Sequence, residues 1–380
     1  MLEYVDLDKL HLDSLEYDIF KAEADCYRNM GNFPKACRAY EECLSYFDIG
    51  KFSEQVVELL YQQSYCLYMS GEVEGALKIL NRMKKDFEKE NVCNYSYIKI
   101  VSLLASACDV TGDAKSQEKY YIKAIDFYKN NKYEQEYYVL LRMASMIFPE
   151  EIAISMEERA EAFFRERHSI KYLAEVLHNI ATDNLYIDKL ANVSKPINES
   201  IYLFDSFGSL AVYYPLNTKG ILKMVLDSDY ESAITIFEQT LQYEMEPYSE
   251  ITIRTNVLNC MNVLGKPGEA LKQLERIDEL IKLQEPQHIP TYAIYQNLNW
   301  AFYYFHMKDH KKCLQKLNVC SKLDYMEPRF KYIYKALAFR TKKVMGLKTR
   351  NMAGTAPKRV YKKCVENGFY FTTLRFYESL

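Results

Sequence analysis

Along most of the chain, apolar residues recur at spacings of three and four, the period of a helix with one buried face, and short turns interrupt the runs. The turns and the apolar marks repeat together. One copy reads Gly31, Phe33, Ala36, Tyr40, Cys43, the next Gly71, Val73, Ala76, Leu80, Met83, and a third Gly112, Ala114, Gln117, Tyr121, Ala124, at intervals of 40 and 41 residues. Further along the same beat gives Tyr230, Ala233, Phe237, Thr240, then Gly265, Ala270, Leu274, Ile277, then His310, Cys313, Leu317, Cys320. Before the first three turns stand Ala24 and Tyr27, Ser64 and Leu67, and Ala105 and Cys108, the marks of a preceding helix. The pattern predicts six copies of a helix pair. Such a pair cannot bury its apolar face alone, so neighbouring pairs must stack and share a core, the small residue letting helices approach and the large one filling the gap beside it.

These residues resemble tetratricopeptide repeats over most of residues 17–324, with helices longer than the usual unit of about 34 residues. The resemblance implies an all-α, right-handed superhelical solenoid of helix-turn-helix repeats with a concave ligand-binding groove. It divides the chain into amino-terminal repeats (1–132), degenerate helical repeats (133–210), carboxy-terminal repeats (211–327) and a basic helical cap (328–380). In 133–210 the rhythm persists in "IFPEEIAISMEERAEAFF" and "KPINESIYLFDSFGS", but the glycine and alanine marks are lost and the register is open.

Residues 172–380 carry a narrower likeness. The succession "LHNIATDNLYI", "SIYLFDSFGS", "YPLNTKGIL", "DYESAITIFEQTL", "YAIYQNLNWAFYYF" and "YFTTLRFYESL" is similar to the carboxy-terminal repeat region of bacterial STAND-type ATPases and sirtuin-linked antiphage defence proteins. That resemblance implies a sensor that captures a trigger while a separate enzyme or effector subunit acts. In overall repeat length the chain also resembles the peptide-pheromone sensors of the RRNPP group.

Composition agrees with helices. Only 12 Gly and 10 Pro are spread over 380 residues that are 49% hydrophobic and 27% charged, so turns are few and elements long. Acidic residues at Glu3, Asp6 and Asp8 stand where a secretory signal would be basic and apolar, and no run of apolar residues is long enough to span a bilayer. A cytoplasmic protein without membrane contact is expected. Ten cysteines form no CxxC pair, and Cys37, Cys43, Cys66 and Cys108 fall at core spacing, as buried thiols would.

Catalytic chemistry has little to stand on. The segment "NVLGKPGEA" places Pro267 where a phosphate-binding loop needs Ser or Thr. His306, His310 and Cys313 could share a helix face as metal ligands; they also occupy positions where the repeat needs core residues. No His accompanies a Ser or Cys nucleophile in a recognisable arrangement. The expectation is a non-enzyme with no cofactor and no metal.

Binding candidates follow from the register. On "ELLYQQSYCLYMSG", Tyr61, Tyr65 and Tyr68 fall in one stripe, either open to a ligand or packed on the next pair. On "TIRTNVLNCMNVLG", Thr255, Asn259 and Asn262 turn inward, and amides that donate and accept suit an extended peptide backbone; ordinary interhelix bonding is the alternative. Asparagines used this way are also a feature of the RRNPP sensors. Asn179, Asn217 and Asn299 stand on other first helices, with Asn299 facing its neighbour.

Charge is segregated. Residues 328–365 hold twelve Lys or Arg and no acid, leaving net −15 on the remainder. Lys342, Lys343, Lys348, Arg350, Lys358, Arg359, Lys362 and Lys363 form a candidate contact surface for an acidic protein partner, for the chain's own acidic repeats or for nucleic acid, with a solvated cap as the alternative.

Overall fold

In a computed structural model, residues 7–30, 32–48, 53–111, 113–148, 150–187, 189–283, 289–322 and 328–347 are described. Among them every regular element is helical. Residues 1–147 and 148–380 form two compact units.

The first unit contains α1 (Leu7–Asn29), α2 (Phe33–Ser45), α3 (Glu54–Met69), α4 (Val73–Lys89), α5 (Tyr95–Thr111), α6 (Ala114–Asn130) and α7 (Glu134–Ala144). The second contains α8 (Glu150–Glu166), α9 (Ile170–Tyr186), α10 (Ser194–Ser206), α11 (Tyr213–Leu226), α12 (Tyr230–Thr240), α13 (Pro247–Val263), α14 (Pro267–Lys282), α15 (Ile289–His306), α16 (His310–Cys320) and α17 (Pro328–Val344). Inside each unit every helix packs on the next in the chain. Odd-numbered helices also touch the following odd-numbered one, as α3 does α5 and α9, α11, α13, α15 and α17 do in series. These first helices of the pairs make a layer, and the second helices close the core from the other side.

The repeat marks are the core. Ala36, Tyr40 and Cys43, Ala76, Leu80 and Met83, Ala233 and Phe237, and Ala270, Leu274 and Ile277 are wholly excluded from solvent, and Gln117, Tyr121, Ala124, Cys313, Leu317 and Cys320 are buried. Ala24, Ser64 and Ala105 on the preceding helices are wholly excluded as well. Two further copies lie where the sequence leaves the register open. Ala153, Glu157, Ala160 and Phe164 on α8, and Val193, Ile197, Ser200 and Phe204 beginning α10, are buried at the same beat. Glu157 replaces the large apolar residue of the first copy and Val193 the small residue of the second, so neither carries both marks.

Turn chemistry sets the hairpins. Gly71 and Gly265 follow α3 and α13 in the left-handed region, at φ 87° and 68°, where a Cβ would crowd the backbone. The equivalent turns after α11 and α15 use Ser228 and Lys308, at φ 50° and 59°. Asp113, Asp229 and Asp309 then cap α6, α12 and α16, each carboxylate accepting a backbone N–H three residues on. Gly31 and Gly112 lie outside the described residues.

Gly220 has a different task. A Cβ on it would lie 2.5 Å from Cε1 of Phe237, so α11 approaches α12 closely enough for the ring to rest on bare backbone. Phe237 anchors a core shared by α11, α12, α13 and α14, with Leu274, Met261 and Val257 around it.

Candidate ligand-binding surface

Side chains that join consecutive first helices are separated by about one repeat in sequence, because equivalent positions face each other across the layer. In the first unit these joints are charged or aromatic. Arg28 Nη1 donates to Gln62 Oε1 at 2.7 Å, linking α1 to α3. Lys99 Nζ on α5 donates to Glu58 Oε2 at 2.9 Å and stands 4.3 Å from the ring centre of Tyr61, on α3. Tyr95 donates its hydroxyl to Glu136 Oε1 at 3.0 Å, linking α5 to α7.

The tyrosine stripe is divided by this arrangement. Tyr61, Tyr65 and Tyr68 are all half-buried. Tyr61 belongs to the α3–α5 joint, and burial pushes its phenol well above the usual range. Tyr65 meets the Phe33 ring edge to face at 6.0 Å, towards α2. Tyr65 thus packs on the preceding pair, and Tyr61 is the one that meets the next pair, through Lys99.

The second unit makes its joints from imidazole, amide and hydroxyl groups. His178 Nε2 on α9 lies 3.1 Å from Thr218 Oγ1 on α11, Asn256 Nδ2 on α13 donates to Asn217 Oδ1 on α11 at 3.0 Å, and Asn299 Nδ2 on α15 donates to Thr255 Oγ1 on α13 at 2.9 Å. The hydroxyls of Tyr248 and Tyr295 meet at 3.2 Å between α13 and α15. Thr255 and Asn259 are half-buried on α13, Asn259 one turn beyond Thr255. Asn262 is buried, and its Nδ2 has no hydrogen-bond partner, so this amide is withdrawn into the core beside the α13–α14 turn. Asn299 is likewise buried and faces its neighbour, as its register placed it.

Residue types alone point to Asn217 but give no reason to choose His178, Thr218 or Asn256. A usable signal existed: 178 with 218, 217 with 256 and 255 with 299 are each about one repeat apart. Sequence reasoning also misses one acidic residue. Glu246, just before α13, accepts hydroxyl hydrogen bonds from Tyr213, from Tyr214 at 3.1 Å and from Ser249.

The His306, His310 and Cys313 set packs as core. Cys313 is wholly excluded from solvent with Sγ 3.3 Å from Thr341 Oγ1, and the His306 ring stands edge to face on Phe302 at 4.7 Å. Desolvation lowers the His306 pKa. Among the described residues no group of three His, Cys, Asp or Glu side chains is placed to hold a metal ion. Burial raises the Cys37 thiol to about 12 and Cys43, Cys66 and Cys313 to about 11, which suppresses the reactive thiolate.

Of the basic candidates, Lys342 and Lys343 lie in the last turn of α17, favourably placed against the negative end of the helix dipole. Lys348, Arg350, Lys358, Arg359, Lys362 and Lys363 lie outside the described residues. No described helix is long and apolar enough to cross a membrane.

Comparison with known proteins supports the repeat architecture. A tetratricopeptide-repeat family model matches residues 23–48, the end of α1 and all of α2. No curated protein is similar to the chain in sequence. Among solved structures, NprR in complex with its cognate peptide NprX is similar with TM-score 0.63 and 15% identity, over 91% of this chain and 98% of that one. The apo form of the quorum sensor NprR from B. thuringiensis gives 0.60 and 14%, over 93% and 99%. A Rap protein complexed with competence and sporulation factor gives 0.60 and 8%, over 97% and 96%. At these identities the likeness establishes the fold: an all-α, tetratricopeptide-like array of helical repeats.

Proposed function

We propose that the chain is a non-catalytic receptor that binds an extended peptide on the first-helix face of its second unit. The observation that carries this reading is the run of imidazole, amide and hydroxyl joints from α9 to α15, at His178–Thr218, Asn217–Asn256 and Thr255–Asn299. A primary amide has two donor hydrogens and two acceptor lone pairs, so the Asn217–Asn256 and Thr255–Asn299 joints leave hydrogen-bonding capacity for a peptide backbone. Asn259, half-buried one turn beyond Thr255, adds an amide to the same stripe. The neighbours NprR, solved with its cognate peptide, and Rap, solved with competence and sporulation factor, support this choice of ligand class.

Peptides co-purifying with the full chain from its native host, identified by mass spectrometry, provide the test. The double change Asn256→Ala and Asn259→Ala is expected to release the bound peptide while leaving the melting temperature within a few degrees. Retention of peptide by that folded variant would move the site elsewhere.

A more specific reading makes the same face the recognition surface of a bacterial antiphage defence assembly with a separate enzyme subunit. It rests on the likeness of residues 172–380, and recovery of an ATPase or nuclease subunit with the chain would favour it. A scaffold that holds an enzyme through the basic segment would keep its partner in the amide variant.

A further inference from the structure

We infer that Glu246 and the phenols around it form a subsite for a cationic group, an ammonium or guanidinium, on the bound peptide; this deepens the peptide-receptor reading and rests on it. Glu246 is the residue immediately before α13, where a side chain ordinarily accepts a backbone N–H of the first turn, and Pro247 follows it. It makes no such cap. Its oxygens instead collect three hydroxyls, from Tyr213 and Tyr214 at the start of α11 and from Ser249 on α13. A carboxylate has about four acceptor positions, so one remains for an incoming donor.

Three neutral donors orient the carboxylate and leave its charge uncompensated. No Lys, Arg or His among the described residues forms an ion pair with it, although Glu250, one turn further along α13, is paired with both Arg254 and Arg276. Glu246 is exposed, and Tyr214 and Tyr248 beside it in sequence or by hydrogen bond keep 43% and 41% of their surface open. Tyr213 and Tyr214 stack obliquely at 4.3 Å, and Tyr248 stands at a right angle to Tyr295 at 6.2 Å. A fixed carboxylate with open aromatic faces attracts a cation through both the ion pair and the ring quadrupoles. Burial, then the hydrogen bond to Glu246, raises the Tyr213 phenol, which keeps it protonated as a donor.

The chemistry separates this subsite from the amide stripe, which reads backbone and carries no charge. The test is a randomised heptapeptide library, prepared once with free and once with acetylated amino termini, selected on the full chain and on Glu246→Gln. The expected result is a preference of about tenfold for Lys or Arg at one position, or for the free amine over its acetylated counterpart, lost in Glu246→Gln. The first pattern identifies a side-chain cation and the second the peptide's own terminus. Peptides enriched without any cationic preference, or a preference retained by folded Glu246→Gln, overturn the subsite and leave the receptor reading standing. No enrichment from either library overturns both. Should Glu246→Gln melt early, the unmodified chain still decides: its cationic preference must weaken from 50 to 500 mM salt, and a salt-independent preference refutes the ion pair.

Discussion

Replacing Gly220 by alanine tests the packing account at its tightest point. In an unconstrained helix interior this change stabilises by about 1 kcal/mol, because alanine loses less backbone entropy. Here the added methyl would sit 2.5, 2.8 and 2.9 Å from three atoms of the Phe237 ring. The ring is wholly excluded from solvent in the buried cluster that also holds Leu274, Met261 and Val257, so swinging it aside would disturb that core. Overpacking costs about 1–3 kcal/mol, and three contacts this short place the cost in the upper half of that range. The net expectation is a loss of about 1–2 kcal/mol. Trp300, the single tryptophan, packs against the same core from α15 and reports its unfolding in urea by fluorescence. The sharper measurement repeats Gly220→Ala on a Phe237→Leu background, where the shorter side chain leaves room and the change should stabilise. A stabilising Gly220→Ala in the unmodified chain, or no reversal of sign on the leucine background, would refute the close approach.

Other expectations are equally direct. Ala76→Leu should destabilise the first unit by about 1–3 kcal/mol, since Ala76 is wholly excluded from solvent on α4; a neutral result in chemical denaturation contradicts the stacked-repeat core. Lys308→Gly should stabilise by about 0.5–1 kcal/mol by relieving the positive φ of 59° after α15, and a loss of stability in the same urea assay would count against that strain. Thiol alkylation at pH 8 should label exposed Cys26 and Cys93 quickly while Cys37, Cys66 and Cys313 stay protected until denaturant is added, as peptide mass mapping would show. With those three buried thiols raised above 9, to about 12, 11 and 11, the unfolded chain ionises first as pH rises. Stability should therefore fall from about pH 9 upward, and a urea midpoint that climbs between pH 8 and 10 would reverse the sign.

The fold was readable where the repeat keeps its small residue. Ala36, Ala76, Ala233 and Ala270 mark second helices whose interiors are inaccessible to water, and the turns before them were placed correctly at Gly71 and Gly265. It was unreadable over 133–210 because packing there tolerates exceptions: Glu157 sits buried in a slot that elsewhere takes Tyr, Leu or Phe, and His168 takes a left-handed turn position without a glycine. The site was harder to read. A stripe on one helix gives direction but not environment, so Tyr61 and Tyr65 look equivalent in sequence and are held by different neighbours. Asn262 shares the spacing of Asn259 yet turns into the core near the end of α13. Glu246 could not have been found from its own segment, since two of its three donors come from α11, 32 and 33 residues away.

The two units use one architecture with two kinds of first-helix chemistry, and the difference bears on which of them holds a ligand. In the first unit the joints match opposite charges or set a cation on a ring: Glu58 receives Lys99, and Lys99 also covers Tyr61. A lysine used this way has its charge answered within the chain. A ligand that displaced it would have to replace an ion pair and a cation–ring contact together. The second unit's amides and hydroxyls carry no charge to strand, and rotating one to meet a peptide loses a single neutral hydrogen bond, worth about 1 kcal/mol and replaceable in kind. Glu246, which no described Lys, Arg or His pairs with, stands just before α13 and is already oriented by three hydroxyls. The energetic cost of opening the face is thus lower in the second unit, and on the proposed reading Glu246 fixes the direction in which a peptide lies.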